Sequence, residues 1–366
     1  MSSWLVRRNA PVCLASSRNS LRPAARPIPQ PWRSLSSSST RQQDGDPRIR
    51  DLGREISDDY ASLRDSYGIY PPALLSEHYP VMSLADLAPL ATPRYPIVLA
   101  HGLLGFSELQ LASYLPPVQY WYGIKDALTA QGASVICASV PPSSSIEDRA
   151  AKLRDDIDAA ASGPDYKGAR PERVNIIAHS MGGLDARYMI SHLPPRTADV
   201  GSLVTVSSPH RGSQLADVLL DADAGAPIHL PRLYGLLERA GLGTAAFAQL
   251  TRKYMTGTFN PGTPDAESAR YFSFGAACDE PPLLSPFRQP WRVIREAEGP
   301  NDGLVSVESS RWGAYRGTLV GVSHLDLINW SNRVRWTVRE WMGMKRTFNA
   351  VAFYLDIADM LAREDL

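Results

Sequence analysis

Val174-Asn175-Ile176-Ile177-Ala178-His179-Ser180-Met181-Gly182-Gly183-Leu184 is the stretch on which the fold turns. Its first five residues are an apolar run of the kind that forms a strand buried on both faces, and residues 184–191 read as a helix. Between them a serine stands among small residues, with Ala178 in the place of the more usual glycine and Gly182 on the far side. A strand that turns tightly into a helix needs small residues at both ends, because the backbones nearly touch. Strain in such a turn lifts the serine hydroxyl clear of the sheet, which is the arrangement of a nucleophile elbow. Ser180 is therefore the candidate nucleophile.

Outward from that point the same alternation repeats. Ile97-Val98-Leu99-Ala100, Ser134-Val135-Ile136-Cys137-Ala138 and Leu203-Val204-Thr205-Val206 are further apolar strands, with residues 271–276 and 317–321 strand-like beyond them. Residues 120–130 and 146–161 carry helical patterns. Strands without polar alternation, separated by helices, predict the α/β class: a mostly parallel, doubly wound sheet with right-handed crossovers. Before this region Ile49, Leu52, Ile56, Tyr60, Leu63 and Tyr67 recur in steps of three and four, which predicts a helix over residues 44–70. Pro71-Pro72 ends it, and a proline-dotted connection leads to Pro96. Near the other end Phe348, Val351, Tyr354, Leu355 and Ala358 form a helical stripe suited to core packing.

Composition narrows the function. The chain has 366 residues, 44% of them apolar, which is enough for a large core and excludes wholesale disorder. Cys13, Cys137 and Cys278 are too few for a disulfide scaffold, and no run is long enough for a membrane-spanning helix. The 38 basic and 38 acidic residues balance only overall. Residues 1–43 hold seven arginines, ten serines and no acidic residue, the composition of a mitochondrial transit segment. The remaining 31 basic and 38 acidic residues give a net charge of −7 and no basic stripe, against nucleic-acid binding. The expected organisation is a transit-like segment over 1–43, an N-terminal helix and linker over 44–92, and one α/β domain over 93–366.

A serine hydroxyl needs a base and an orienting carboxylate, and on this scaffold the chain order is Ser, acid, His. His324 follows a strand-like segment and precedes a helix, which makes it the best base. His192 reads as a solvated helix end, His210 as part of a tight structural turn, and His229 lies in an apolar stretch. Asp302, in the turn Asn301-Asp302-Gly303, is the preferred acid over its competitors Asp279 and Glu280. The oxyanion needs two N–H donors: Met181, directly after the nucleophile, and Leu103, where Gly102 lets the backbone turn inward. His101 is expected to brace that loop rather than act as a base. The chemistry itself requires no organic cofactor.

With residues 95–106 (Tyr-Pro-Ile-Val-Leu-Ala-His-Gly-Leu-Leu-Gly-Phe) and 178–183 in view, the chain resembles the triacylglycerol lipases of the α/β-hydrolase fold. It is similar to the secreted pseudomonad and burkholderia lipases and, given its N-terminus, to fungal mitochondrial members. The resemblance extends over about 95–329 and includes Tyr120-Trp-Tyr-Gly-Ile124, Ser208-Pro-His-Arg-Gly-Ser213, Asn301-Asp-Gly-Leu-Val305 and Ser323-His-Leu-Asp326. Carried over by position, it implies Ser180 as nucleophile, Asp302 as acid, His324 as base and Leu103 and Met181 as oxyanion donors. It also implies a structural calcium on Asp326, with Asp279 or Glu280 as a second carboxylate. Residues 213–250, rich in leucine and glycine, fall where the family keeps its lid. The implied substrate is a lipid ester at a membrane or droplet surface. A phospholipase, thioesterase or acyltransferase on the same scaffold, or a silent hydrolase-fold binding module, are the alternatives.

Overall fold

The structure is a computed structural model that describes residues 55–56, 91–103, 108–109, 118–162, 171–220, 245–283, 285, 287–329 and 348–366. Its centre is a sheet of seven strands: β1 (Glu55–Ile56), β2 (Ile97–Ala100), β3 (Val135–Cys137), β4 (Arg173–His179), β5 (Asp199–Val206), β6 (Arg270–Ala277) and β7 (Ala314–Val320). Their order is β1-β7-β6-β5-β4-β2-β3, and every neighbouring pair is parallel. A separate two-stranded antiparallel ribbon joins Glu108–Leu109 to Val118–Gln119.

Helices cover both faces, and the pleat of each strand divides its side chains between them. Ile97 and Leu99 of β2, Ile177 of β4 and Val204 and Val206 of β5 join one core with helices α1 (Ile124–Ala130) and α6 (Ala350–Arg363). Val98 and Ala100, Val174, Ile176 and Ala178, and Leu203 join the other with α2 (Ile146–Ser162) and α3 (Gly182–His192). Helix α2 presents Ile146, Ala150, Leu153, Ile157 and Ala161 inward at steps of three and four, and Glu147 and Asp148 favour its N-terminus. Helix α6 starts at Asn349, whose side chain accepts the Ala352 N–H at 3.2 Å. Burying Phe353, Leu355, Ile357 and Leu361 stabilises it by roughly 1.5–3 kcal/mol each, more than the cap can supply.

The sheet order positions the site. Strand β2 lies between β3, which follows it in the chain, and β4, which comes later, so the connections leave β2 and β4 towards opposite faces. In open α/β sheets such a reversal leaves a crevice at the carboxyl ends of the two strands. The Gly102 loop follows β2 and Ser180 follows β4 at that point.

Three expectations meet the structure differently. The helix expected over 44–70 is replaced at Glu55–Ile56 by a strand, registered against Thr318 and Leu319; an unpaired edge of β7 offers backbone hydrogen bonds that a helix could not use. The rest of 44–70 lies outside the described residues, as do the transit-like segment and the connection up to residue 90. The helix expected from residue 120 begins at Ile124, because Gly123 takes a left-handed φ of 73° and the preceding residues form a turn. Of the lid, helix α4 (Gln214–Leu220) and the short helix α5 (Ala245–Gln249) are described, while residues 221–244 lie outside.

Candidate active site

Ser180 sits in the left-handed region at φ 55°, between β4 and α3. For a non-glycine residue that conformation costs roughly 1–3 kcal/mol and persists only where its surroundings impose it. Here they do. The Ser180 N–H donates to the Val206 carbonyl at 3.0 Å, and the Ser180 carbonyl accepts from Gly183 N–H at 3.1 Å. A Cβ on Gly182 would come within 2.6 Å of the Ala100 carbonyl oxygen, so α3 can begin only with a glycine.

Asp302 and His324 form a hydrogen-bonded pair at 2.7 Å between Oδ2 and Nδ1. Both are buried. The other carboxylate oxygen of Asp302 accepts from the N–H groups of Leu304 at 3.0 Å and Val305 at 2.8 Å, while its carbonyl accepts His324 N–H at 2.9 Å. The acid is thus held on three sides before it orients the imidazole. The His324 ring packs against the ring of His179, centroids 4.4 Å apart, immediately before Ser180 in the chain. Among the described residues the Ser180 hydroxyl makes no standard hydrogen bond, and catalytic hydrogen bonds are often long in a free enzyme. The competing acids face elsewhere: Asp279 is exposed, and Glu280 pairs with Arg288 and Arg292.

The loop after β2 lies against the elbow. A Cβ on Gly102 would fall 2.7 Å from Cβ of Ser180, so only glycine allows this approach. Neither Leu103 N–H nor Met181 N–H has an acceptor among the described residues, although Met181 is fully buried. A buried N–H is rarely left unpaired, and Met181 N–H, directly after Ser180 in the chain, is a donor that an oxyanion would satisfy. His101 braces the loop. Val140 N–H donates to its Nε2 at 3.2 Å, leaving Nδ1–H to donate to the Gly102 carbonyl at 3.0 Å. Burial lowers its pKa to about 4, so it stays neutral.

Beneath the loop a buried ion pair fixes the other side of His101. Arg149 Nη2 donates to Asp185 Oδ2 at 2.7 Å and to the His101 carbonyl at 2.9 Å, and Nη1 donates to Pro141 O at 2.6 Å. Burial pushes the Asp185 carboxyl up to about 6 against the pull of the guanidinium. Asp185→Ala would strand a buried guanidinium and is expected to cost about 3–5 kcal/mol of stability in chemical denaturation. Replacing both partners with leucine and methionine should cost less, and a single variant as stable as the parent would refute the coupling.

His210 is fully buried, with Nε2 3.0 Å from Thr205 Oγ1 and its ring stacked on Trp312, and His192 is exposed at the end of α3. His229 lies outside the described residues. Of the residues that the resemblance implies for calcium, Asp326 uses its Oδ2 to accept from Ser323 N–H at 3.1 Å and Oγ–H at 2.6 Å. Asp279 is exposed, and no group of three or more His, Cys, Asp or Glu among the described residues could hold a metal. Burial, then the charges of Asp302, Asp326 and Asp279, push the Cys278 thiol up to about 12. Sequence alone assigns no role to two further site residues, His179 and Tyr120, which bonds to it.

Comparisons with known proteins bear on the family and the fold. Residues 143–223 match the family model of a PGAP1-like alpha/beta domain. The chain is 36% identical to triacylglycerol lipase 2 of Saccharomyces cerevisiae over 74% of its own length and 92% of the relative. It is 30% identical to the triacylglycerol lipase of Pseudomonas fragi, covering 75% of this chain and 98% of that one. Among solved structures, a metagenomic carboxyl esterase aligns with a TM-score of 0.59 at 18% identity, covering 87% of this chain and 95% of that chain. The Staphylococcus hyicus lipase aligns at 0.54 and 19% identity, covering 74% and 97%. At such identities the structures speak for the fold alone.

Proposed function

The chain belongs to the triacylglycerol lipase family of the α/β-hydrolase fold, and from that premise we propose that it cleaves triacylglycerol through an acyl-enzyme on Ser180. It is a hydrolase of lipid esters. The observation that carries the mechanism is the buried Asp302–His324 pair seated on the residue before the strained serine. His324 takes the Ser180 proton as the oxygen attacks the acyl carbonyl, and Asp302 stabilises the imidazolium that forms. Leu103 and Met181 N–H groups bind the oxyanion, each contributing roughly 3–4 kcal/mol to the transition state. The proton then passes from His324 to the departing alcohol, and water releases the fatty acid by the same route.

The N-terminal arginine- and serine-rich segment supports a mitochondrial location. No helix among the described residues is long and apolar enough to cross a membrane. The insolubility of a long-chain lipid ester supports an encounter at a membrane or droplet surface. The leucine- and glycine-rich sequence of residues 213–250 supports a lid that opens at lipid, since each leucine exposed to water costs roughly 1.5–3 kcal/mol. A hydrolysis panel tests this reading, from soluble short-chain esters to emulsified long-chain triacylglycerol and phospholipid. Expected are the highest kcat/KM on triacylglycerol and a rise in specific activity once substrate passes from monomers to emulsion. A preference for phospholipid or a thioester would redirect the substrate assignment, and equal activity on both physical states would remove the moving lid.

A further inference from the structure

We propose that Tyr120 and His179 are positioning residues of this hydrolysis, the Tyr120 hydroxyl locking the oxyanion loop at Gly102 to the residue that precedes the nucleophile. The proposal rests on the assignment of Ser180. Three segments meet at one oxygen. Gly102 N–H donates to Tyr120 Oη at 3.1 Å, and Oη lies 2.7 Å from His179 Nδ1. A phenol has a single proton, so with Gly102 donating to it, that proton goes to Nδ1. Nδ1 is then an acceptor, and His179 carries its own proton on Nε2. That Nε2–H is buried without a hydrogen bond of normal geometry, although the His324 backbone lies close enough to favour its proton.

The arrangement is stiff and dry. Tyr120 is 4% exposed and His179 1%. The Tyr120 ring packs edge-on against Trp121, and Trp121 edge-on against Tyr354 of α6, so the hydroxyl is held from the opposite core. Burial keeps His179 uncharged, its pKa well below 6.5, and burial keeps the phenol protonated. An imidazolium forming on His324 therefore has a neutral ring beside it. The lock also controls the gap in which the reaction occurs, because Gly102 packs directly on Ser180 and Leu103 N–H follows Gly102 in the chain. A shift of about 1 Å in that donor is enough to cost roughly 100-fold in rate.

Tyr120→Phe removes the hydroxyl and keeps the ring. The assay uses a soluble p-nitrophenyl ester, so that interface binding plays no part, with kcat expressed per active site titrated by a fluorophosphonate. Expected are a fall in kcat of about 10- to 100-fold, KM within about twofold, and a matching fall in affinity for butylboronic acid, which mimics the tetrahedral state. His179→Leu should behave alike, and the double variant no worse than either single one. His179→Asn, whose Oδ1 can stand in for Nδ1, should retain kcat within about threefold. The proposal falls if kcat per titrated site and boronate affinity of Tyr120→Phe stay within twofold of the parent, or if only the titratable fraction and melting temperature decline. Turnover surviving in Ser180→Ala would bring down the nucleophile assignment, and this proposal with it.

Discussion

Ser180→Ala should lower turnover by roughly 10⁴- to 10⁶-fold while leaving the fold intact, because it removes the only atom that bonds to the acyl carbon. The contacts that hold the elbow are made by the backbone: Ser180 N–H to Val206 and Ser180 carbonyl to Gly183. Alanine keeps both, and it carries the same Cβ that packs on Gly102. Loss of activity with an unchanged circular dichroism spectrum and denaturation midpoint is therefore the expected signature. Labelling by a fluorophosphonate should disappear with it. Activity near that of the parent would place the nucleophile elsewhere and end the mechanism.

Asp302→Asn should lower kcat by roughly 10³- to 10⁴-fold, for a reason that lies in the loop around it. Oδ1 accepts from two backbone N–H groups, those of Leu304 and Val305. An asparagine must keep its oxygen there, since its NH₂ would meet two donors. The NH₂ is then forced towards His324 Nδ1, which must accept and so lose its proton. The imidazole carries its proton on Nε2 and cannot take one from Ser180. The fold should survive, because Asp302 N–H to Val305 O and His324 N–H to Asp302 O are main-chain bonds. Asp279→Asn and Glu280→Gln serve as controls and should change kcat by less than about twofold. A large loss in either, with Asp302→Asn active, would reassign the acid.

How much of this could be read from the chain follows from how local each signal is. Strand β2 is a continuous apolar run and β4 and β5 are rich in Val, Ile and Leu, and β4 together with the small residues around Ser180 announces both sheet and elbow within ten residues. Chain order and the turn at Asn301 point to Asp302 and His324, because each lies at a strand or turn boundary. The Tyr120–His179 contact was not legible, since its partners are 59 residues apart and neither interrupts a pattern. Glu55–Ile56 shows the opposite failure: a helical periodicity was present, but the free edge of β7 decided the backbone.

The thiol of Cys278 has a consequence for reactivity. Sulfur is the better nucleophile of the two elements, but only as its anion. With its pKa pushed up to about 12, Cys278 stays protonated at neutral pH. Burial, with the negative charge that prepares His324 added to it, thus silences a neighbouring rival, and acyl groups and electrophilic inhibitors are left to the alcohol.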